Sequence, residues 1–144
     1  WLYNEWIYSE IFPYMYEANE KANWKYDILS AESLELARYK KGDFYNFHRD
    51  GHNDHSAVYD VPNNDAFNGK VRKLSMTVLL NDNYEGGEFQ FATYSKEKCT
   101  ISTPEFNKTG SIIMFASDVE HRVAPVTKGI RYSLVVWFLG PPFK

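Results

Sequence analysis

Asp118-Val-Glu-His121-Arg-Val-Ala-Pro125-Val-Thr-Lys-Gly129-Ile-Arg131-Tyr-Ser133-Leu-Val-Val-Trp137 carries the strongest architectural signal in the chain. It offers one histidine, a connection containing Pro125 and Gly129, and an arginine at the head of an apolar strand that closes on tryptophan. Residues 130–139 read as a buried strand, and Pro141-Pro142 stops it because proline has no N–H for a ladder. An arginine flanked by Ile130 and Leu134-Val-Val-Trp137 needs an anionic partner, since an unpaired charge in apolar surroundings is costly.

Working outward, residues 111–116 and 121–126 read as further strands. Residues 71–80 form another, with Leu74, Met76, Val78 and Leu80 on one face. Asn81-Asp-Asn83 and Gly86-Gly87 bracket a turn, 88–92 is a short strand, and 93–109 is a polar surface excursion. Residues 24–29 and 33–39 alternate with a period of two, 40–43 turn, and 44–48 extend again. Residues 51–69 are rich in turn formers, and a loop of that length is a lid candidate. Before all of these, Leu2, Trp6, Ile7, Ile11, Tyr14, Met15, Ala18 and Ala22 recur at helical spacing, with Pro13 predicting a break or two short helices. The pattern is an all-β core over about 24–140 with an N-terminal helix over about 2–22 packed on the back of a sheet. Many short strands with Gly, Pro and Asn turns predict a jelly-roll (cupin-like) sandwich in one domain spanning 1–144.

With 144 residues the chain can bury a sizeable core, and aromatics at 17% suit lined pockets. The net charge of −3 recommends neither nucleic acid nor an anionic membrane. No apolar run reaches the length of a membrane span, and no signal peptide is read at its start. Cys99 is alone, so no intrachain disulfide forms; a buried thiol and a reducing, cytoplasmic compartment are expected.

In an extended segment residues two apart point the same way, so His48 and Asp50 can converge on one ion, with His121 as a third ligand. Two imidazoles and a carboxylate fill one face of an octahedron, the arrangement of non-haem Fe(II) oxygenases. A closed zinc site would want four ligands, usually with several cysteines, which the single Cys99 cannot supply. The vacant positions suit a bidentate 2-oxo acid and O2. The far carboxylate of a dicarboxylic 2-oxo acid suits the guanidinium fork of Arg131, with Ser133 on the same strand face as a further donor. A second His-x-Asp pair, His52-Asn-Asp54, and His55 fall in the polar loop, where surface histidines are the ordinary expectation.

These residues resemble the Fe(II)/2-oxoglutarate-dependent dioxygenases, in particular the prolyl 4-hydroxylase-like branch, over roughly residues 36–139. Tyr39-Lys-Lys-Gly42-Asp-Phe-Tyr45-Asn-Phe-His48-Arg-Asp50 looks like the family's Tyr-x-x-Gly-x-x-Tyr-x-x-His-x-Asp. Arg72-Lys-Leu-Ser-Met-Thr-Val-Leu-Leu-Asn81 with Glu85-Gly-Gly-Glu-Phe89, and Gly110-Ser-Ile-Ile-Met-Phe115 through His121 to Arg131-Tyr-Ser133 and Trp137, follow in order. The resemblance selects His48 and Asp50 over His52 and Asp54. It implies a double-stranded β-helix, and Fe(II), 2-oxoglutarate and O2 with ascorbate as an accessory. It further implies Tyr39 near the chelating end of 2-oxoglutarate, Tyr45 in the pocket, and Trp137 and Arg72 on the substrate side. Leu79 and Val135 depart from relatives that carry hydroxyl groups there, which leaves more of the cosubstrate's binding to Arg131 and Ser133. The implied reaction couples oxidative decarboxylation of 2-oxoglutarate to hydroxylation of an unactivated C–H, foremost a prolyl residue of a peptide or protein, with no nucleic-acid or membrane partner. The rivals are a free amino acid, a lysyl side chain or an alkylated nucleobase as substrate, and a cupin-like module that binds metal without turnover.

Overall fold

A computed structural model describes residues 2–51 and 58–143 of the chain. Helix α1 (Glu5–Lys21) is followed by strands β1 (Ser30–Ala31), β2 (Glu35–Tyr39), β3 (Tyr45–His48), β4 (Val71–Leu79), β5 (Glu85–Gly86), β6 (Phe89–Ser95), β7 (Lys98–Ser102), β8 (Ile112–Ala116), β9 (Glu120–Val123), β10 (Val126–Lys128) and β11 (Arg131–Gly140). Among the described residues the larger sheet runs β1-β11-β4-β8, with β2 also on β11. The smaller runs β3-β9-β6-β7, and β5 with β10 makes a short separate ladder. Every pairing is antiparallel, and residues of both sheets line one central cavity, as the jelly roll requires.

The larger sheet has two distinct faces because its strands alternate with period two. Leu74 and Met76 of β4 and Val136 and Phe138 of β11 turn outward to meet Ile11 and Met15 of α1 in one buried cluster. Ser75 and Thr77 are buried on the inner side, where Thr77 joins Arg131, Ser133, Val135 and Trp137 of β11 around the cavity. Leu80 lies past the end of β4 and is partly exposed, so it does not continue the Leu74 face as its spacing suggested.

Helix α1 passes through Pro13 without a break, contrary to the expected interruption. Proline in a helix interior forfeits one backbone hydrogen bond and costs about 3 kcal/mol or more. Burying a large apolar side chain returns about 1.5–3 kcal/mol, and Ile11 and Met15 sit one turn apart against the sheet. Tertiary packing therefore holds together a helix that local propensity would divide.

Residues 24–29 are not a strand despite their alternation. Asn19, buried near the end of α1, donates from Nδ2 to the Tyr26 carbonyl (2.9 Å) and accepts the Tyr26 N–H at Oδ1 (3.0 Å). Asn23 and Lys25 take left-handed backbone angles (φ 56° and 51°), which breaks the extended run. The segment crosses so close to Gly140 that a Cβ there would stand 1.9 Å from the Asp27 carbonyl oxygen. Ladder pairing starts only at β1.

Two other expectations change. The polar stretch 93–109 contributes half of the β6–β7 hairpin, whose turn holds Lys96 at φ 48°. Every residue of β7 is exposed, so no apolar alternation marks it, and Cys99 in that strand is exposed rather than buried. The strand expected over 121–126 divides into β9 and β10 around Ala124 and Pro125, whose backbones bond instead to Glu88 and Gly87. Of the lid candidate, residues 52–57 lie outside the described residues. Residues 58–69 form hydrogen-bonded turns closed by Tyr59 N–H to the Lys70 carbonyl and Gly69 N–H to the Tyr59 carbonyl. They pack beside Ser30 and do not line the central cavity. No described helix is long and apolar enough to cross a membrane.

Met15→Ala should lower the unfolding free energy by about 2–5 kcal/mol, whereas Tyr14→Ala, on the exposed side of the helix, should change it by less than about 0.5 kcal/mol. Urea unfolding followed by circular dichroism measures both, and equal losses would contradict the packing of α1 on the sheet.

Candidate metal centre and its cavity

Strand β3 lies antiparallel to β9 with His48 directly opposite His121. Cross-strand partners in this register bring their side chains together, and the two imidazole centroids are 4.3 Å apart. Each ring is turned by the same local device. His48 Nδ1 bonds the Asn46 carbonyl (2.7 Å) and His121 Nδ1 bonds the Val119 carbonyl (2.8 Å). A carbonyl can only accept, so both Nδ1 atoms donate, which turns the Nε2 edge of each ring toward the cavity.

Those Nε2 atoms meet the carboxylate of Asp50, just past the end of β3. Asp50 Oδ1 is 3.2 Å from His48 Nε2 and 3.3 Å from His121 Nε2. The ligand atoms of the three residues lie within 4.8 Å of one another. Burial alone would push the Asp50 carboxyl up, yet hydrogen bonds with His121, His48 and Ser75 hold it well below the usual carboxylate range. An anion and two imidazole nitrogens thus converge on one point. Metal–nitrogen bonds of about 2.1 Å set neighbouring ligands on an octahedron about 3 Å apart, so this donor set fits a divalent ion as it stands.

The same cavity, about 310 Å³, reaches Arg131, Ser133, Tyr39 and Tyr45. Arg131 is 1% exposed. Its Nη1 bonds Ser133 Oγ (3.2 Å), while Nε and Nη2 have no hydrogen-bond partner. Burial pushes the guanidinium below its ordinary value, and the phenols of Tyr84 and Tyr39 push it back. Buried polar groups are almost always paired, so a cavity-lining guanidinium with two idle donors marks a place for an anion. The backbone is shaped for this arginine: a Cβ on Gly87 would come within 2.9 Å of Arg131 Cδ, and its φ of 65° also favours glycine. Tyr39 packs 5.7 Å from the guanidinium carbon, and burial raises its phenol, keeping it a hydroxyl donor. Leu79, paired with Ser133, is fully buried and offers no polar atom.

At the opposite side Trp137 and Arg72 form part of the wall, the guanidinium of Arg72 lying 3.9 Å from the Trp137 ring. Arg72 is not a solvated strand-edge arginine. Glu32 receives it in two bonds, Nε to Oε2 (2.6 Å) and Nη2 to Oε1 (3.0 Å), and its Nη1 donates to the Asp50 carbonyl (3.2 Å). Burial alone would lower it, but the Glu32 carboxylate more than reverses that. Tyr59 donates to Glu32 Oε1 (2.7 Å) and completes the cluster. His52, His55 and Asp54 lie outside the described residues.

Sequence reasoning missed Glu32, Tyr84, Ser75 and Ser117. Glu32 meets its partner across forty positions, which no local pattern records. Ser75 and Thr77 did leave a trace, as hydroxyls alternating with Leu74, Met76 and Val78 in an otherwise apolar strand.

With this geometry in view, residues 34–139 match the model of the 2OG-Fe(II) oxygenase superfamily. The chain belongs to that superfamily. It is similar to a PKHD-type hydroxylase of Xylella fastidiosa, 36% identical over 105 residues, a match spanning 69% of this chain and 41% of that relative. Human prolyl 3-hydroxylase 2 is 38% identical over 73 residues, 49% of this chain and 10% of the relative. Among solved structures, a viral collagen prolyl hydroxylase from Paramecium Bursaria Chlorella virus-1 superposes with a TM-score of 0.62 at 25% identity, covering 92% of this chain and 71% of that one. A Trichoplax adhaerens prolyl hydroxylase shares the fold with a TM-score of 0.57 at 19% identity, covering 90% and 56%. The superfamily is named for iron(II) and 2-oxoglutarate, and the His-Asp-His donor set and the unsatisfied guanidinium of this member suit both.

A guanidinium left unsatisfied in the free protein should be a burden there. Arg131→Met is expected to raise the unfolding free energy without cosubstrate by about 1–4 kcal/mol while removing 2-oxoglutarate binding. Denaturation with and without 2-oxoglutarate checks this, and a destabilised variant would mean that the native charge is already compensated.

Proposed function

We propose that this chain carries the working site of an Fe(II)- and 2-oxoglutarate-dependent hydroxylase that oxidises an unactivated C–H of a prolyl residue in a peptide or protein. The observation that carries the reading is one cavity joining the His48, Asp50 and His121 donors to the buried, half-satisfied fork of Arg131. A metal-binding module with no 2-oxo acid has no use for that arginine.

In this reading His48 Nε2, His121 Nε2 and Asp50 Oδ1 hold the iron, and the Nδ1 bonds to Asn46 and Val119 fix the rings. Bound Fe(II) supplies the activation of O2 that side chains cannot provide. Arg131 receives the far carboxylate of 2-oxoglutarate, Ser133 steadies the fork, and Tyr39 offers its hydroxyl toward the cosubstrate. Val135, Phe89, Phe115 and Val123 line the cavity with apolar surface that keeps water from the reacting centre. Tyr45 and Trp137 line the part of the cavity taken by the substrate, and the Glu32–Arg72 pair packs against the Trp137 ring.

Proline is favoured as substrate because relatives and structural neighbours named for prolyl hydroxylation recur. Their names divide between the 3- and 4-positions of the ring.

Anaerobic titration of the iron-loaded protein with 2-oxoglutarate should give a saturable visible charge-transfer band, lost in Arg131→Ala. His121→Ala should lose both iron and band, whereas His52→Ala should keep both. A missing band despite bound iron would sink the proposal. Mass spectrometry of proline-containing peptides after turnover should then show the gain of one oxygen; oxygen on lysine alone would reassign the substrate.

A further inference from the structure

Ser75 and Ser117 are each 1% exposed, yet neither faces water or lines the cavity. Ser75 stands between Leu74 and Met76 in β4, and Ser117 follows the apolar strand β8. Buried hydroxyls in such surroundings need partners, and these two spend theirs on Asp50. Ser75 Oγ lies 2.7 Å from Asp50 Oδ2, and Ser117 Oγ lies 2.9 Å from Ser75 Oγ. A carboxylate only accepts, so the Ser75 proton goes to Asp50 and the proton of the second contact comes from Ser117. The relay runs Ser117 to Ser75 to Asp50, each donor strengthened by the one behind it. Ser117 also takes both backbone N–H groups of the segment at its carbonyl, from Asp50 (2.9 Å) and Gly51 (3.0 Å).

We infer that Ser75, oriented by Ser117, is a positioning residue that keeps Asp50 a ligand through one oxygen. With Oδ2 engaged on the far side, only Oδ1 faces His48 Nε2 and His121 Nε2. A carboxylate freed from Ser75 would rotate and lose the aim of Oδ1 at the two imidazoles, which would weaken the metal site and the cosubstrate bound beside it. The inference rests on the ligand set proposed above and adds two residues outside it. Partners that orient metal ligands typically contribute about 10–100-fold to metal affinity or activity.

The test is metal binding by the whole chain, with Fe(II) added anaerobically or Co(II) in its place, measured by calorimetry for the wild type, Ser75→Ala, Ser75→Thr and Ser117→Ala. The metal-free thermal midpoint is recorded for each. Ser75→Ala should bind about 10–100-fold more weakly. Ser75→Thr, which keeps the hydroxyl, should bind within a few-fold of wild type, and Ser117→Ala should fall between. The metal-loaded Ser75→Ala protein should also bind 2-oxoglutarate less tightly than wild type, a change that loosened packing in the metal-free chain would not produce. Wild-type metal affinity in Ser75→Ala, or an equal loss in Ser75→Thr, overturns the inference alone. A wild type that binds no metal, with His121→Ala indistinguishable from it, overturns the ligand set and this inference together.

Discussion

The register of β3 on β9 is the constraint from which the rest of the site follows. His48 and His121 face the same cavity only because they are direct partners in an antiparallel pair. A slip of one residue would send one imidazole to the other face of its strand. Beyond His48 the Asp50 and Gly51 N–H groups bond the Ser117 carbonyl, so Asp50 arrives within 3.3 Å of both rings without belonging to the strand. Strand β6 supports β9 from the other side, and Phe89 stacks on the His121 ring at 5.5 Å between centroids. Much of the smaller sheet thus serves to hold two histidines.

The larger sheet performs two tasks by alternation. Its outer residues bury α1 and supply stability, while its inner residues present chemistry. On β11 the same period that sends Val136 and Phe138 to the helix sends Arg131, Ser133, Val135 and Trp137 to the cavity. Stability and function therefore draw on adjacent positions of one strand. They also pull against each other at Arg131, where the free protein leaves two buried donors without acceptors. Such a defect is the expected mark of a site prepared for an anion.

Polar groups behind the site are treated differently. The Glu32–Arg72–Tyr59 cluster and the Ser117–Ser75 pair are satisfied within the chain, and both end on Asp50, one at its carbonyl and one at its carboxylate. Fully bonded networks make a rigid support, while the incomplete fork of Arg131 is left for what must bind and leave.

How much of this could be read beforehand depends on the range of the interaction. The candidate donor set of His48, Asp50 and His121 stood out because His48-Arg49-Asp50 is local and because Arg131, ten residues after His121, opens an apolar strand. The jelly roll followed from strand alternation, and the inner face of β11 from period two alone. Elements whose signal is weak or overruled were not legible. Strand β7 shows no apolar alternation because it is exposed throughout. Residues 24–29 alternate but are held out of a ladder by Asn19, and Pro13 predicts a break that packing overrides. The sequence by itself thus determined the candidate donor types, the arginine that needs an anion and the fold that presents them, since residue chemistry and periodicity are local properties. Tertiary structure alone decided that Glu32 grips Arg72 and that Ser75 and Ser117 reach Asp50. Those contacts join strands and loops twenty-five to forty-two positions apart, and only the closed sandwich brings them within a hydrogen bond.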